Sequence, residues 1–540
     1  MSRDASWLQG AVLYQIYPLS FLDRNGDGLG DLDGVLAGLD HVASLGVDAL
    51  WISPFYPSPL KDFGYDVSDH QDVDPRLGTL ETFDRLLEAA HARGLKVLVD
   101  LVCGHTSDEH AWFQASRRSR HGGHADWYVW ADPSPDGTPP NNWLSVFGGS
   151  AWSWEPRRHQ YYLHHFLPAQ PTLNLRSEAV GQALLDIAAF WLERGVDGFR
   201  IDAVDFLYRD PHLRSNPPRP YIGAPPLKPF ALQEHLFDMM HPDIDSFLDR
   251  LRAVADRYGD RVLLGELSSQ PGAHARIGRY TRPGRLHAAY TLDLAKKPFT
   301  AASFRAVLEG AKGAPGTCWS FSNHDVERAT SRWRPPGADT ARFDALLAVL
   351  LSCMPGTICV YQGEELGLPQ ADLDRRHLRD PFGIAYWPEF KGRDGSRTPI
   401  PWRGDAPHAG FTDSGQPWLP VPDVHRFRAV DRQEGNAASP LMVWRECLAL
   451  RHRSPALSMG SVGRVIDQGP VLAFERSTGE DTVLAVFNLS DRTIRFDLPA
   501  GGRLSPLAVP AASGEVVGDG LTLPPFGVFL AGVEAALEPA

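Results

Sequence analysis

Eight short apolar runs recur along this chain, separated by stretches with the spacing of amphipathic helices, and that alternation limits the folds open to it. The runs fall at 12–17, 47–54, 96–102, 198–202, 261–266, 288–292, 318–325 and 357–361. Lys96-Val-Leu-Val-Asp-Leu-Val102 is apolar almost throughout, as a parallel strand covered on both faces must be. Helical spacing appears over 32–45, 80–93 and 178–193, and a segment rich in proline at 216–229 precedes a further helix. Strand and helix in regular alternation predict an α/β protein, a (β/α)8 TIM barrel whose reactive groups collect in the loops after the strands. A doubly wound open sheet would need a glycine-rich phosphate loop after its first strand. The loop here is acidic instead.

Two regions break the alternation. Residues 106–172 are rich in Trp, His, Pro and Gly and are expected to form an inserted subdomain after the third strand. From 461 onward short alternating runs such as Val471-Leu-Ala-Phe-Glu and Thr482-Val-Leu-Ala-Val-Phe predict a C-terminal antiparallel β-sandwich. The barrel is therefore assigned to 1–105 and 173–460, the insertion to 106–172 and the sandwich to 461–540.

Charge and cysteine content narrow the partners. Lys plus Arg number 53 against 66 Asp plus Glu, a net charge of −13 with no basic cluster, which argues against nucleic acid. The 5 cysteines lack ligand spacing, so a reducing compartment is expected rather than a disulfide or zinc framework. Residues 1–7 have no apolar leader core, and the most apolar stretch, 345–361, is broken by Pro355-Gly356. A cytoplasmic protein without membrane contact, monomeric or homodimeric, is expected.

The loop Asp23-Arg-Asn-Gly-Asp-Gly-Leu-Gly-Asp31 places oxygen side chains at alternate positions, a pattern suited to a hard divalent cation. Asp23, Asn25, Asp27 and Asp31, with the carbonyl of Leu29, are the candidate ligands of a structural Ca2+ or Mg2+; a capped turn opening the next helix is the alternative. Position twelve is Gly34, not a bidentate Glu, so an EF-hand is excluded.

Carboxylates end three of the predicted strands: Asp202, Glu266 and Asp325. Neighbouring barrel strands can bring Asp202 and Glu266 to one glycosidic bond, where a retaining glycosidase needs carboxyls roughly 5–5.5 Å apart. Arg200, two residues from Asp202, is expected to keep that carboxylate ionised, while crowding by like charges keeps Glu266 protonated.

Five ordered motifs carry a resemblance: Asp100-Leu-Val-Cys-Gly-His105, Gln170-Pro-Thr-Leu-Asn174, Gly198-Phe-Arg-Ile-Asp202, Gly265-Glu266 and Phe321-Ser-Asn-His-Asp325. Over almost its whole length the chain resembles the α-amylase family, glycoside hydrolase family 13, and within it the bacterial α-glucosidases, including those that transfer glucose. The resemblance implies Asp202 as nucleophile, Glu266 as general acid/base and Asp325 as the third carboxylate, with Tyr65, His105, Arg200 and His324 around the transferred glucosyl unit. It further implies that Asp62, from Asp62-Phe-Gly-Tyr-Asp66, and Arg397, from Gly392-Arg-Asp-Gly-Ser-Arg-Thr-Pro-Ile-Pro-Trp402, close the pocket on the terminal sugar. Phe147 and Phe166 are expected as apolar walls, and Ala203, where relatives acting on α-1,6 linkages tend to carry Val, points to α-1,4 linkages. Gly104 stands where most relatives have Asn, and Thr172 where this branch usually has Asp.

The expected activity is release of glucose from the non-reducing end of maltose-like α-glucosides through a covalent glucosyl-enzyme, with transfer to alcohol or sugar acceptors and no catalytic cofactor. A trehalose synthase-like isomerase or transferase of the same family is the nearest alternative, and a non-catalytic relative the more distant one.

Overall fold

The computed structural model describes residues 6–498, 503–509 and 513–534. The first five residues of the stretch read above for a leader, and 499–502, 510–512 and 535–540 of the sandwich region, lie outside the described residues.

The apolar runs form one parallel sheet: β1 (Val12–Ile16), β2 (Ala49–Ile52), β3 (Lys96–Leu101), β4 (Gly198–Ile201), β5 (Val262–Leu267), β6 (Ala288–Thr291), β7 (Cys318–Ser320) and β8 (Thr357–Tyr361). Their order around the sheet is β7-β8-β1-β2-β3-β4-β5-β6. A parallel bridge from Ala289 to Thr317 brings β6 and β7 together and completes the barrel.

Inward-facing residues fill the interior in a compact layer: Leu13, Trp51, Leu98, Leu264, Tyr290, Cys318 and Cys359 pack as one cluster. Cys318 and Cys359 are thus core residues, and all five cysteines are buried free thiols. Gly198 opens β4 because a Cβ there would lie 2.1 Å from the carbonyl oxygen of Val262, so only glycine lets β4 and β5 run this close.

The outer helices turn apolar faces to the barrel. In Glu178–Arg194, Leu184, Ile187, Ala188 and Trp191 are buried at helical spacing, and Gly195, at φ 106°, ends the helix by donating to Leu192. The single helix expected over 32–45 is two, Leu32–Ala37 and Leu39–Ser44. Gly38 breaks it where the chain passes under Phe21, whose ring would stand 2.5 Å from a Cβ.

The insertion holds a helix, Ala111–Ser116, and a three-stranded sheet of Trp130–Ala131, Gln160–Leu163 and Trp152–Glu155. Past the last barrel helices, Ser461–Gln468 begins two antiparallel sheets of five and three strands whose facing side chains, among them Val471, Leu484, Phe496, Leu521 and Phe529, form a separate core. Buried Arg476 joins this unit to the barrel by donating to the carbonyls of Cys353 and Gly460 at 2.6 and 2.7 Å.

Candidate active site

Strand register gathers the charged groups at the C-terminal rim. Asp100 on β3 pairs laterally with Arg200 on β4, and Glu266 on β5 with Tyr290 on β6. Arg200, wholly buried, lies at the centre of these four strands. One Nη donates to Asp100 and, at 2.7 Å, to Asp202; the other stands 2.6 Å from Glu266 Oε2. Tyr290 Oη accepts from Nε at 3.1 Å and Nη2 at 2.9 Å, and Trp51 stacks beneath at 4.9 Å. Because Asp202 and Glu266 are held by two nitrogens of one guanidinium, their carboxyls are fixed within a few ångströms of each other. A planar fork does this and a lysine could not.

Beyond Asp202 the chain turns sharply. Ala203 adopts φ 44°, ψ 49°, left-handed for a non-glycine residue, and its N–H donates to Glu266 Oε2 at 3.2 Å. Strain of this kind, of order 1–3 kcal/mol, concentrates at functional sites. Here it couples the residue after one carboxylate to the other.

The carboxyls differ in proton affinity. Burial raises Asp202 to about 6 and Arg200 opposes the rise, so the group binds a proton more tightly than an ordinary carboxylate yet is mainly ionised at pH 7. Burial raises Glu266 to about 7, with Arg200 opposing and the charges of Asp202 and Asp325 adding to the rise. Asp325 moves the other way: burial disfavours its charge, but His324, Arg393 and Arg397 outweigh burial. Near neutral pH, Glu266 is the carboxyl that keeps a proton.

A cavity of about 480 Å³ opens onto these groups, within the range of small-molecule sites. Asp202, Glu266, Asp325, Asp62, Tyr65, His105, Phe147, Phe166 and Ala203 line it. Arg200, His324 and Arg397 are not among the lining residues; they stand behind the wall and hold it. Burial lowers His105 to about 4 and His324 to about 3, so both imidazoles are neutral at pH 7. His105 Nε2 lies 3.0 Å from the Tyr65 carbonyl, and the His324 ring stacks on Tyr65 at 5.1 Å.

Of the two arginines in this motif it is Arg393, not the expected Arg397, that lines the cavity. Arg393 donates to Asp62 at 2.6 Å, to Asp325 at 3.1 Å and to Asp380 at 2.9 Å, and it lines the cavity over the Phe147 ring. Arg397 is fully buried one layer deeper, donating to Asp325 Oδ1 at 2.9 Å and to the His324 carbonyl at 2.7 Å. The two arginines stand four positions apart in one motif, and only their tertiary contacts separate their roles.

Other wall residues escaped the sequence reading. Gln170 donates to Asp62 Oδ2 at 2.9 Å and so fixes the second oxygen of the Arg393 partner; its place in the Gln-Pro-Thr-Leu-Asn motif was the available signal. Phe206, Phe230, Phe382 and Phe390 come from two distant stretches of the chain without local pattern, yet all line the cavity.

In the acidic loop, Asp23 accepts from the N–H groups of Gly26 and Gly28, and Asp31 from those of Arg24, Asn25 and Gly34. Asp27 and Asn25 accept from Leu29 and Asp27 two residues on. The side chains thus serve as turn and helix caps, with Asp31 capping Leu32–Ala37. Among the described residues no group of three or more Asp, Glu, His or Cys side chains is gathered in a way that could hold a metal ion. Gly34 is imposed by packing: a Cβ would lie 1.8 Å from the carbonyl oxygen of Leu22.

A (β/α)8 barrel carrying paired carboxyls on one guanidinium at the rim of a cavity defines the glycosidase class. The alpha-amylase catalytic domain model matches residues 15–460, and the maltogenic amylase C-terminal domain model matches 464–530. The chain belongs to the α-amylase family, glycoside hydrolase family 13, and is an α-glucosidase-type enzyme within it. It is 49% identical over 541 residues to a probable alpha-glucosidase of Rhizobium meliloti (strain 1021), covering 98% of both chains. An oligo-1,6-glucosidase of Heyndrickxia coagulans is 36% identical, with 91% of this chain and 94% of that protein covered. A crystal structure of an alpha-glucosyl transfer enzyme superposes with a TM-score of 0.94 at 49% identity, covering 98% of this chain and 99% of that one. Among the described residues no helix is long and apolar enough to cross a membrane.

Proposed function

We propose that the protein is an exo-acting, retaining α-glucosidase that removes glucose from short α-1,4-linked glucosides such as maltose and transfers it to alcohols or sugars when they outcompete water. The single observation that carries this reading is Arg200 holding Asp202 and Glu266 side by side at the inner end of the cavity. In the first step an oxygen of Asp202 bonds to the anomeric carbon as the bond to the glycosidic oxygen breaks, and Glu266 delivers its proton to that oxygen. In the second, Glu266 takes the proton of a water or alcohol whose oxygen attacks the same carbon, and Asp202 leaves. Asp325, fixed by Arg393 and Arg397, is positioned for the sugar hydroxyls.

Several observations support the finer points. The Asp62–Arg393–Asp380 cluster walls one end of the cavity, which favours a terminal sugar over a mid-chain one. Ala203 lines the cavity beside the nucleophile, where its small side chain suits an α-1,4 substrate. Five buried thiols suit a reducing compartment, so cytoplasmic residence belongs to the proposal. A structural Ca2+ or Mg2+ at Asp23, Asn25, Asp27, Leu29 and Asp31 belongs to it through the alternation of oxygen side chains, and requires the loop to rearrange from its capped form.

Product analysis by NMR on maltose, isomaltose, sucrose, trehalose and maltotriose tests the reading. First-formed glucose must be the α-anomer, and maltotriose must yield glucose and maltose. Inversion, or cleavage from the reducing end, would overturn it, and accumulation of trehalose from maltose would replace hydrolysis by isomerisation.

A further inference from the structure

The inner end of the cavity is acidic, and its one lining arginine, Arg393, is saturated by three carboxylates. One step outward the charge reverses. Phe147 packs on Phe382 at 5.0 Å, and the Lys228 ammonium lies over Phe382 at 4.2 Å and over Phe390 at 3.8 Å. Lys228 makes no ion pair or hydrogen bond with an anion among the described residues, although it is half-buried. Two further cations line the same cavity: Lys296, whose ammonium likewise lacks an ion pair among the described residues, and Arg219, whose guanidinium donates to Gln270 at 2.9 Å. Three cations without an ion pair among the described residues therefore line the space a leaving group or acceptor must cross, Asp380 and Asp293 acting on the two lysines only from beyond ion-pair distance. Taking an ammonium out of water is costly, and the two ring faces offset only part of that cost. Burial lowers Lys228 to about 8, its neighbours Lys296 and Arg393 lower it further, and Asp380 opposes them only in part. A bound anion would relieve both the desolvation and the repulsion.

We propose that the outer half of the cavity is a subsite for aglycones and acceptors that combine an apolar body with a carboxylate, the carboxylate being read by Lys228 with Lys296 and Arg219 near it. The phenylalanine walls take the body. Lys228, lying over two rings, offers one partly desolvated positive charge, which suits a monoanion better than a phosphate dianion. The proposal rests on the reading of the cavity as a glucosidase site. In the transfer step the acceptor hydroxyl oxygen bonds to the anomeric carbon, the bond to Asp202 breaks, and the hydroxyl proton passes to Glu266; the distant carboxylate only orients the acceptor.

The test uses the full-length enzyme with 4-nitrophenyl α-glucoside as donor and two acceptors sharing one nucleophilic hydroxyl, benzyl alcohol and 4-(hydroxymethyl)benzoate. The ratio of the two transfer rate constants is read within each enzyme, so loss of overall activity does not obscure it. The wild type is expected to favour the carboxylate about tenfold, about 1.4 kcal/mol. In Lys228→Gln the ratio should fall towards about one, and in Lys228→Arg it should be retained. A wild-type ratio of one or below, or a Lys228→Gln ratio equal to wild type, would overturn the subsite. A preference for the corresponding 4-(hydroxymethyl)phenyl phosphate over the carboxylate would overturn the assignment of the anion. Failure of the wild type to hydrolyse the donor at all would instead overturn the glucosidase reading beneath it.

Discussion

Glu266→Gln removes a single ionisable group while keeping the side chain's shape, and the structure says what should follow. The amide oxygen can still accept from Arg200 and from the Ala203 N–H, so the local frame persists with one charge-assisted bond weakened. Proton transfer by such a group contributes roughly 10²- to 10⁴-fold, about 3–5 kcal/mol of barrier. Loss of that size is expected in kcat/KM for maltose, whose leaving oxygen must be protonated. For α-glucosyl fluoride, which leaves without a proton, the first step should be nearly spared, and azide, which needs no base, should restore turnover and give the α-azide. The pH profile is the sharper readout. Asp202 must be ionised and Glu266 protonated, and the two titrate as a linked pair near 6 and 7. Wild-type kcat/KM should therefore rise through about pH 6 and fall beyond about pH 7. In the variant the acid limb should remain and the alkaline limb disappear. An alkaline limb that persists near 7, or equal losses on maltose and the fluoride in a variant that melts like wild type, would refute the assignment of the proton to Glu266.

Other consequences are as direct. Arg393→Lys removes the fork that joins Asp62, Asp325 and Asp380, and kcat/KM for maltose should fall about 10- to 100-fold, roughly 1.5–3 kcal/mol, with Arg393→Lys still folded by circular dichroism; unchanged kinetics would remove Arg393 from the sugar site. Ala203→Val should raise the isomaltose-to-maltose rate ratio, and because position 203 has φ 44° a β-branched residue should also lower the melting temperature; an unchanged ratio would refute the linkage argument. Calcium at 100 times its dissociation constant should stabilise the native protein by about 2.7 kcal/mol, read as a melting shift that Asp23→Ala abolishes, whereas identical melting in EDTA and calcium would leave the loop as a set of caps.

Much of this was legible in the chain because it is local. Period and apolar run length placed the eight strands, since each must be covered on both faces wherever it lies. Asp202 follows Arg200 by two residues, so their contact is written into one strand end. The acid at the end of β5 could be recognised for the same reason.

What the order of residues could not decide depends on approach in three dimensions. The choice between Arg393 and Arg397 turned on which guanidinium reaches the cavity, and the proton affinity of Asp202 on burial outweighing an adjacent arginine. The acidic loop has the spacing of a cation site, and Asp23 also accepts from the N–H groups of Gly26 and Gly28, contacts that spacing alone does not show. Lys228 gains its setting only because a loop after β4 lays it over two rings more than 150 positions away. Sequence alone determined the barrel and the acidic ends of its strands, because run length and position along the chain carry both; tertiary structure decided the walls, the charges and the protonation, because those are sums over groups that only folding brings together.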